Sequence, residues 1–120
     1  MIIKVIRELD VPAGSTPMRW LPKYKAIYDE RDQIAKPYID HSYTATTENV
    51  VTDANTISTV TSFYKSLEGF DECMEKMRVF MEANALRLAP DDLPSAQNVK
   101  RRYQIRDAVT DLVIRDWTNF

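Results

Sequence analysis

Apolar and polar residues alternate over residues 2–9, so the chain opens on a strand. Ile3 and Val5 share one face of it with Arg7, while Ile2 and Ile6 share the other with Lys4 and Glu8. Apolar residues on both faces imply that both faces are covered. Asp10 to Pro17, with two prolines and one of two glycines, is a loop. The period then becomes helical: Tyr24, Ile27, Tyr28, Arg31 and Ile34 fall on one stripe, with Lys25, Asp29, Glu30 and Asp32 outside it. Thr16-Pro17 and Pro22 both offer starts for this helix, and Pro37 stops it.

Alternation returns from Tyr38 to Thr46, with Ile39, His41, Tyr43 and Ala45 on one face, and extends to Thr52 through an irregularity near Glu48-Asn49. Asp53-Ala54-Asn55 has turn chemistry, and Thr56 to Lys65 is a β-branched strand, which makes a hairpin. Ser66 is placed to cap a second helix whose apolar stripe is Phe70, Cys73, Met74, Met77, Phe80, Met81 and Ala85. That helix is over by Leu88 or Ala89. Leu93, Ala96, Val99 and Tyr103 share a helical register, predicting a short helix over about 91–106. Val109 to Trp117 is β-branched and reads as a closing strand, with continued helix the alternative.

Strand, helix, strand, strand, helix, extra helix, strand is the order of an α+β, ferredoxin-like split βαβ sandwich with an antiparallel sheet. All 120 residues form one domain. Helices on one face leave the other bare, and a second copy is the natural cover, so two chains are expected to pair.

Sixteen basic against eighteen acidic residues leave a net charge of -2, which argues against a generic nucleic-acid binder. Cys73 is alone, so neither an intrachain disulfide nor a thiolate zinc cluster is available to the chain. No apolar run is long enough to span a bilayer, and a reducing, cytoplasmic setting is expected.

The passage Val60-Thr61-Ser62-Phe63-Tyr64-Lys65-Ser66-Leu67-Glu68-Gly69-Phe70, with the order of elements, resembles the dimeric α/β-barrel superfamily over about residues 2–85. The look is closest to small barrels from environmental, marine or viral sequences. The resemblance implies a homodimeric barrel that binds small molecules between helices and sheet, as cofactor-independent oxygenases and isomerases of the superfamily do. The haem-degrading members carry a histidine on the helix after the third strand. Phe70 to Ala85 contains none, so no cofactor is expected.

His41 is the single histidine and the first candidate for acid–base catalysis, with Tyr43 beside it on the same predicted face. A histidine satisfied by one neighbouring hydrogen bond is the plainer reading. Arg7, among apolar residues, is suited to an anionic ligand or to a carboxylate across the dimer. Tyr43, with Trp20, Tyr24, Tyr28 and Tyr64, would line an aromatic pocket, or simply belong to the core. Asp40 and His41 are adjacent on a predicted strand and cannot share a metal, and no metal site is expected. Asp91 and Asp92 suit a helix cap, and Lys100-Arg101-Arg102 with Arg106 suits a solvated face. The expected partners are a second copy and a small aromatic or anionic ligand, with no membrane. The alternative is a non-catalytic interaction dimer without a pocket.

Overall fold

The structure, a computed structural model, describes residues 1–88 and 98–120. Five strands, β1 (Ile3–Pro12), β2 (Thr46–Val51), β3 (Asn55–Tyr64), β4 (Lys100–Asp107) and β5 (Val113–Asn119), form one antiparallel sheet ordered β2-β3-β1-β4-β5. Two helices, α1 (Lys25–Ala35) and α2 (Leu67–Ala83), lie on one face. This α+β arrangement is compatible with a ferredoxin-like type of fold.

β1 is central, and its register explains the core. Ile3 stands opposite Tyr64 and Asp107, Val5 opposite Ser62 and Ile105, and Arg7 opposite Val60 and Tyr103. Ile3, Val5 and Ile105 are fully buried under Ala35, Phe70 and Cys73. Phe70 meets Tyr64 edge-on at 5.2 Å and Tyr103 at 5.4 Å, geometries that suit the quadrupoles of aromatic rings. A second buried group, Val11, Pro17, Tyr24 and Ile27, anchors the other end of α1.

The junction of β3 and α2 follows the sequence reading. Ser66 is extended, and its hydroxyl accepts a hydrogen bond from the Gly69 backbone N–H at 2.9 Å. A Cβ at Gly69 would lie 3.0 Å from that hydroxyl, so the capping geometry itself favours glycine here. Ser66→Ala is expected to lower unfolding stability by about 1 kcal/mol in urea titration, the usual worth of an N-cap. An unchanged midpoint would show that the cap adds nothing.

Several expectations are corrected. Both candidate starts of the first helix form single 3-10 turns, Met18–Trp20 and Pro22–Tyr24, and the α-helix proper begins at Lys25. Tyr38 to Ala45 is not a strand, and pairing begins only with β2 at Thr46: Lys36–Tyr38 is a 3-10 turn, Ile39 makes one bridge to Tyr64, and His41 lies in a turn. The Asp40 carboxylate accepts from the Ser42 N–H at 2.9 Å and from its hydroxyl at 2.5 Å, a local bond that competes with pairing in a sheet. Those bonds also hold the Asp40 carboxyl below its usual range.

The extra helix proposed over about 91–106 is also corrected. Its first part lies outside the described residues, but Lys100 to Asp107 is β4, paired with the open edge of β1. Tyr103 and Ile105 alternate inward between Arg102, Gln104 and Arg106. The closing strand is present as β5, after a turn in which Asp107 accepts from the N–H groups of Val109 and Thr110. Arg115 of β5 ties it to α2 through Asp71 at 2.8 and 3.0 Å.

Among the described residues, no helix lies on the opposite face of the sheet. Lys4, Ile6, Glu8 and Asp10 of β1 and Ile57, Thr59, Thr61 and Phe63 of β3 project there and are all half-buried. Tyr43 stacks on Phe63 with ring centroids 4.4 Å apart, and Arg102 lies 4.1 Å over the Trp117 ring while pairing with Glu8.

Candidate functional site

A cavity of about 590 Å³ lies between the two helices and the sheet, within the size range of small-molecule sites. Its floor comes from β1 and β3. On β3 the inward positions Ser58 and Ser62, either side of Val60, are small where a close-packed sheet would carry branched apolar residues, and the volume they leave belongs to the cavity. On β1, Arg7 replaces the apolar residue that would continue Ile3 and Val5.

Arg7 donates from one terminal nitrogen to Ser62 Oγ at 3.1 Å and from the other to Tyr64 Oη at 2.9 Å. Its guanidinium lies 5.6 Å from the Tyr64 ring centroid and 5.7 Å from that of Phe70. These partners are neutral. No described carboxylate forms an ion pair with Arg7, so its charge is oriented and left uncompensated.

α1 supplies the opposite wall. Arg31 follows Ile27 and Tyr28 on the inward stripe and packs 4.9 Å from the Tyr28 ring centroid. Its Nε is buried and, among the described residues, is the one buried side-chain polar atom without a hydrogen-bond partner. The nearest carboxylate oxygen, on Asp32, is 3.7 Å from Nη2, too long for a hydrogen bond. Burial, followed by repulsion from Arg19, lowers the Arg31 pKa, and Arg7 adds further repulsion. Asp32 is instead engaged by Arg19, which reaches it from the Met18–Trp20 turn with contacts of 3.2 and 2.6 Å. That bond raises the Arg19 pKa.

Arg101 enters from β4, opposite Leu9, and none of its side-chain nitrogens has a described partner. Four arginines, 7, 19, 31 and 101, thus face one carboxylate, Asp32, leaving three positive side-chain charges in excess. Trp20, Tyr28, Val60, Met74, Met77 and Phe120 provide an apolar surround. The cavity therefore combines uncompensated guanidinium donors with flat and flexible apolar surface. Such a lining accepts an organic anion.

Arg7, Trp20 and Tyr64, proposed from sequence as ligand contacts, all line this cavity. Tyr28 does too, while Tyr24 is core. His41 and Tyr43 do not line it. His41 is exposed, with Nε2 3.1 Å from the Lys36 carbonyl, and Tyr43 stands on the helix-free face. Cys73 is buried, and burial pushes its thiol pKa up, as expected of an inert packing residue. Met74 and Met77, read as packing, reach the cavity wall as well as the core.

Arg19, Arg31, Ser58 and Ser62 are not among the site residues the sequence suggests, while Arg101, read as part of a solvated basic face, and Asp32, read as outside the apolar stripe, both line the cavity. For Arg31 the signal was present, since a cation sat on an otherwise inward stripe. Among the described residues, no cluster of histidine, cysteine and carboxylates has metal-binding geometry, and no helix is long and apolar enough to cross a membrane. No family model, curated protein or solved structure matches the chain, so the geometry of the cavity carries the functional reading.

Proposed function

We propose that this protein binds a small organic anion with an aromatic or apolar body in the cavity between α1, α2 and the sheet. The observation that carries the reading is the pair Arg7 and Arg31: two inward guanidiniums, one without a carboxylate and the other with a buried, unpartnered Nε. A folded chain bears the desolvation of such groups at a cost, which an anion entering the cavity offsets. Binding is favoured over turnover as an oxygenase or isomerase. The described lining contains no histidine, and its one acid is engaged by Arg19.

The same reading takes the chain as a ferredoxin-like split βαβ domain extended by β5, paired with a second copy through the helix-free sheet face into a dimeric α/β barrel. The half-buried apolar and aromatic residues on that face, Ile6, Ile57 and Phe63 with Tyr43, support it. Light scattering is expected to give twice the chain mass of 13.9 kDa, and a monomer at high concentration removes the dimer. The cavity favours a binding protein over a dimer whose work is confined to its outer surface.

Thermal-shift screening against aromatic carboxylates and phosphate esters tests the binding reading. A ligand held at a hundred times its dissociation constant stabilises the native state by about 2.7 kcal/mol. Melting is expected to rise with such anions and not with their neutral amides, and Arg7→Met is expected to remove the rise. No shift across the anion panel sinks the proposal.

A further inference from the structure

Resting on the binding reading above, we infer that the ligand is an elongated dianion, with one anionic group at an Arg7–Arg31–Ser62 seat and a second near Arg101. The first seat joins donors that line one cavity. Ser62 Oγ accepts from Arg7 and keeps its own O–H to donate, while the Arg31 Nε–H lacks any partner. A carboxylate or phosphate group in the cavity can accept from the Ser62 hydroxyl and from the terminal nitrogens of the two guanidiniums, through charge-assisted bonds.

The second seat lies on another strand. Arg7 and Leu9 are successive inward residues of β1, and Arg101 of β4 stands opposite Leu9. Arg101 is therefore one inward step along the sheet and one strand across from Arg7. It has no described ion-pair partner, and Leu9 supplies apolar cavity floor between the two arginines. One anionic group at Arg7 and Arg31 leaves Arg101 uncompensated; a second group on the far end of an apolar body neutralises it. Two charges also match the cavity better than one, because four arginines there face a single acid that is already engaged by Arg19.

Calorimetric titration of the full chain with matched pairs tests the inference: terephthalate against benzoate, and suberate against octanoate, with phenyl phosphate as a dianion whose charges share one group. Each dicarboxylate is expected to bind at least about tenfold tighter than its monocarboxylate, the worth of one further charge-assisted contact. Arg101→Met is expected to shrink that preference to within about twofold. Arg31→Met is expected to weaken all five probes, and circular dichroism checks that both variants fold.

Equal affinity within each pair, with Arg31→Met still weakening binding, overturns the two-seat inference and leaves the anion-binding reading standing. Phenyl phosphate binding tightest and insensitive to Arg101→Met also overturns it, by placing both charges at the first seat. Binding of none of the five probes overturns both readings.

Discussion

Arg31→Met is expected to raise the melting temperature of the ligand-free protein while weakening anion binding. Arg31 is about a quarter exposed, yet its Nε is buried without a partner and its nearest carboxylate oxygen is 3.7 Å away. Leaving a buried donor unsatisfied costs about 1–3 kcal/mol. Methionine keeps an apolar stem against Tyr28 and removes both the donor and the repulsion from Arg19 and Arg7. With Arg31 only partly exposed, the lost cation–π contact is worth about 1 kcal/mol, less than the middle of the desolvation range. The net gain is about 1–2 kcal/mol, or roughly 3–8 °C in melting temperature. Opposite signs for stability and binding are the mark of a group kept for a ligand. A variant that melts lower and binds anions as tightly as the parent makes Arg31 a structural cation instead.

Phe70→Ala is expected to have the largest effect on the fold. Phe70 is 1% exposed and joins α2 to the sheet through Tyr64 and Tyr103. Truncating a buried phenylalanine costs about 3–5 kcal/mol, a large part of the roughly 5–15 kcal/mol that holds a domain folded. Phe70→Leu keeps most of the volume and is expected to cost clearly less, within about 1.5 kcal/mol if the core repacks. Urea unfolding of both variants measures the difference. If alanine costs no more than leucine, Phe70 is not the hinge of the core. The truncation also withdraws a ring against which Tyr64 and Arg7 rest, so anion affinity is expected to fall with stability.

How far the fold was legible depended on whether a segment's bonds are local. β1, the β2–β3 turn and the capped start of α2 carry their own signals: alternation, Asp-Ala-Asn at a turn, and a serine three residues before the N–H it caps. The stretch around His41 misled because Tyr38 to Thr46 alternates like a strand, while Asp40 closes a local turn on Ser42. β4 misled in the other direction. Its two inward apolar residues, Tyr103 and Ile105, are too few to outweigh a helical register shared with Leu93 and Ala96.

The cavity shows the same division. Alternation alone put Arg7 on the face of β1 that carries Ile3 and Val5, and helical spacing alone put Arg31 on the apolar stripe of α1. Neither pattern can say that the two residues share a space, because they lie on different elements. The small inward residues Ser58 and Ser62 become a cavity only where α1 and α2 fail to fill the volume above them. Arg101 joins them only because β1 has an edge that β4 must pair.

The amino-acid sequence by itself determined the first strand, the hairpin, the capped second helix and the faces of β1 and α1 on which Arg7 and Arg31 lie, since each is set by short-range period or by a bond spanning a few residues. Tertiary structure alone decided that the segment before β2 turns, that residues 100–107 become a strand, and that the arginines share one cavity. Those outcomes rest on hydrogen bonds and unfilled volume between residues far apart in the chain, which no local pattern records.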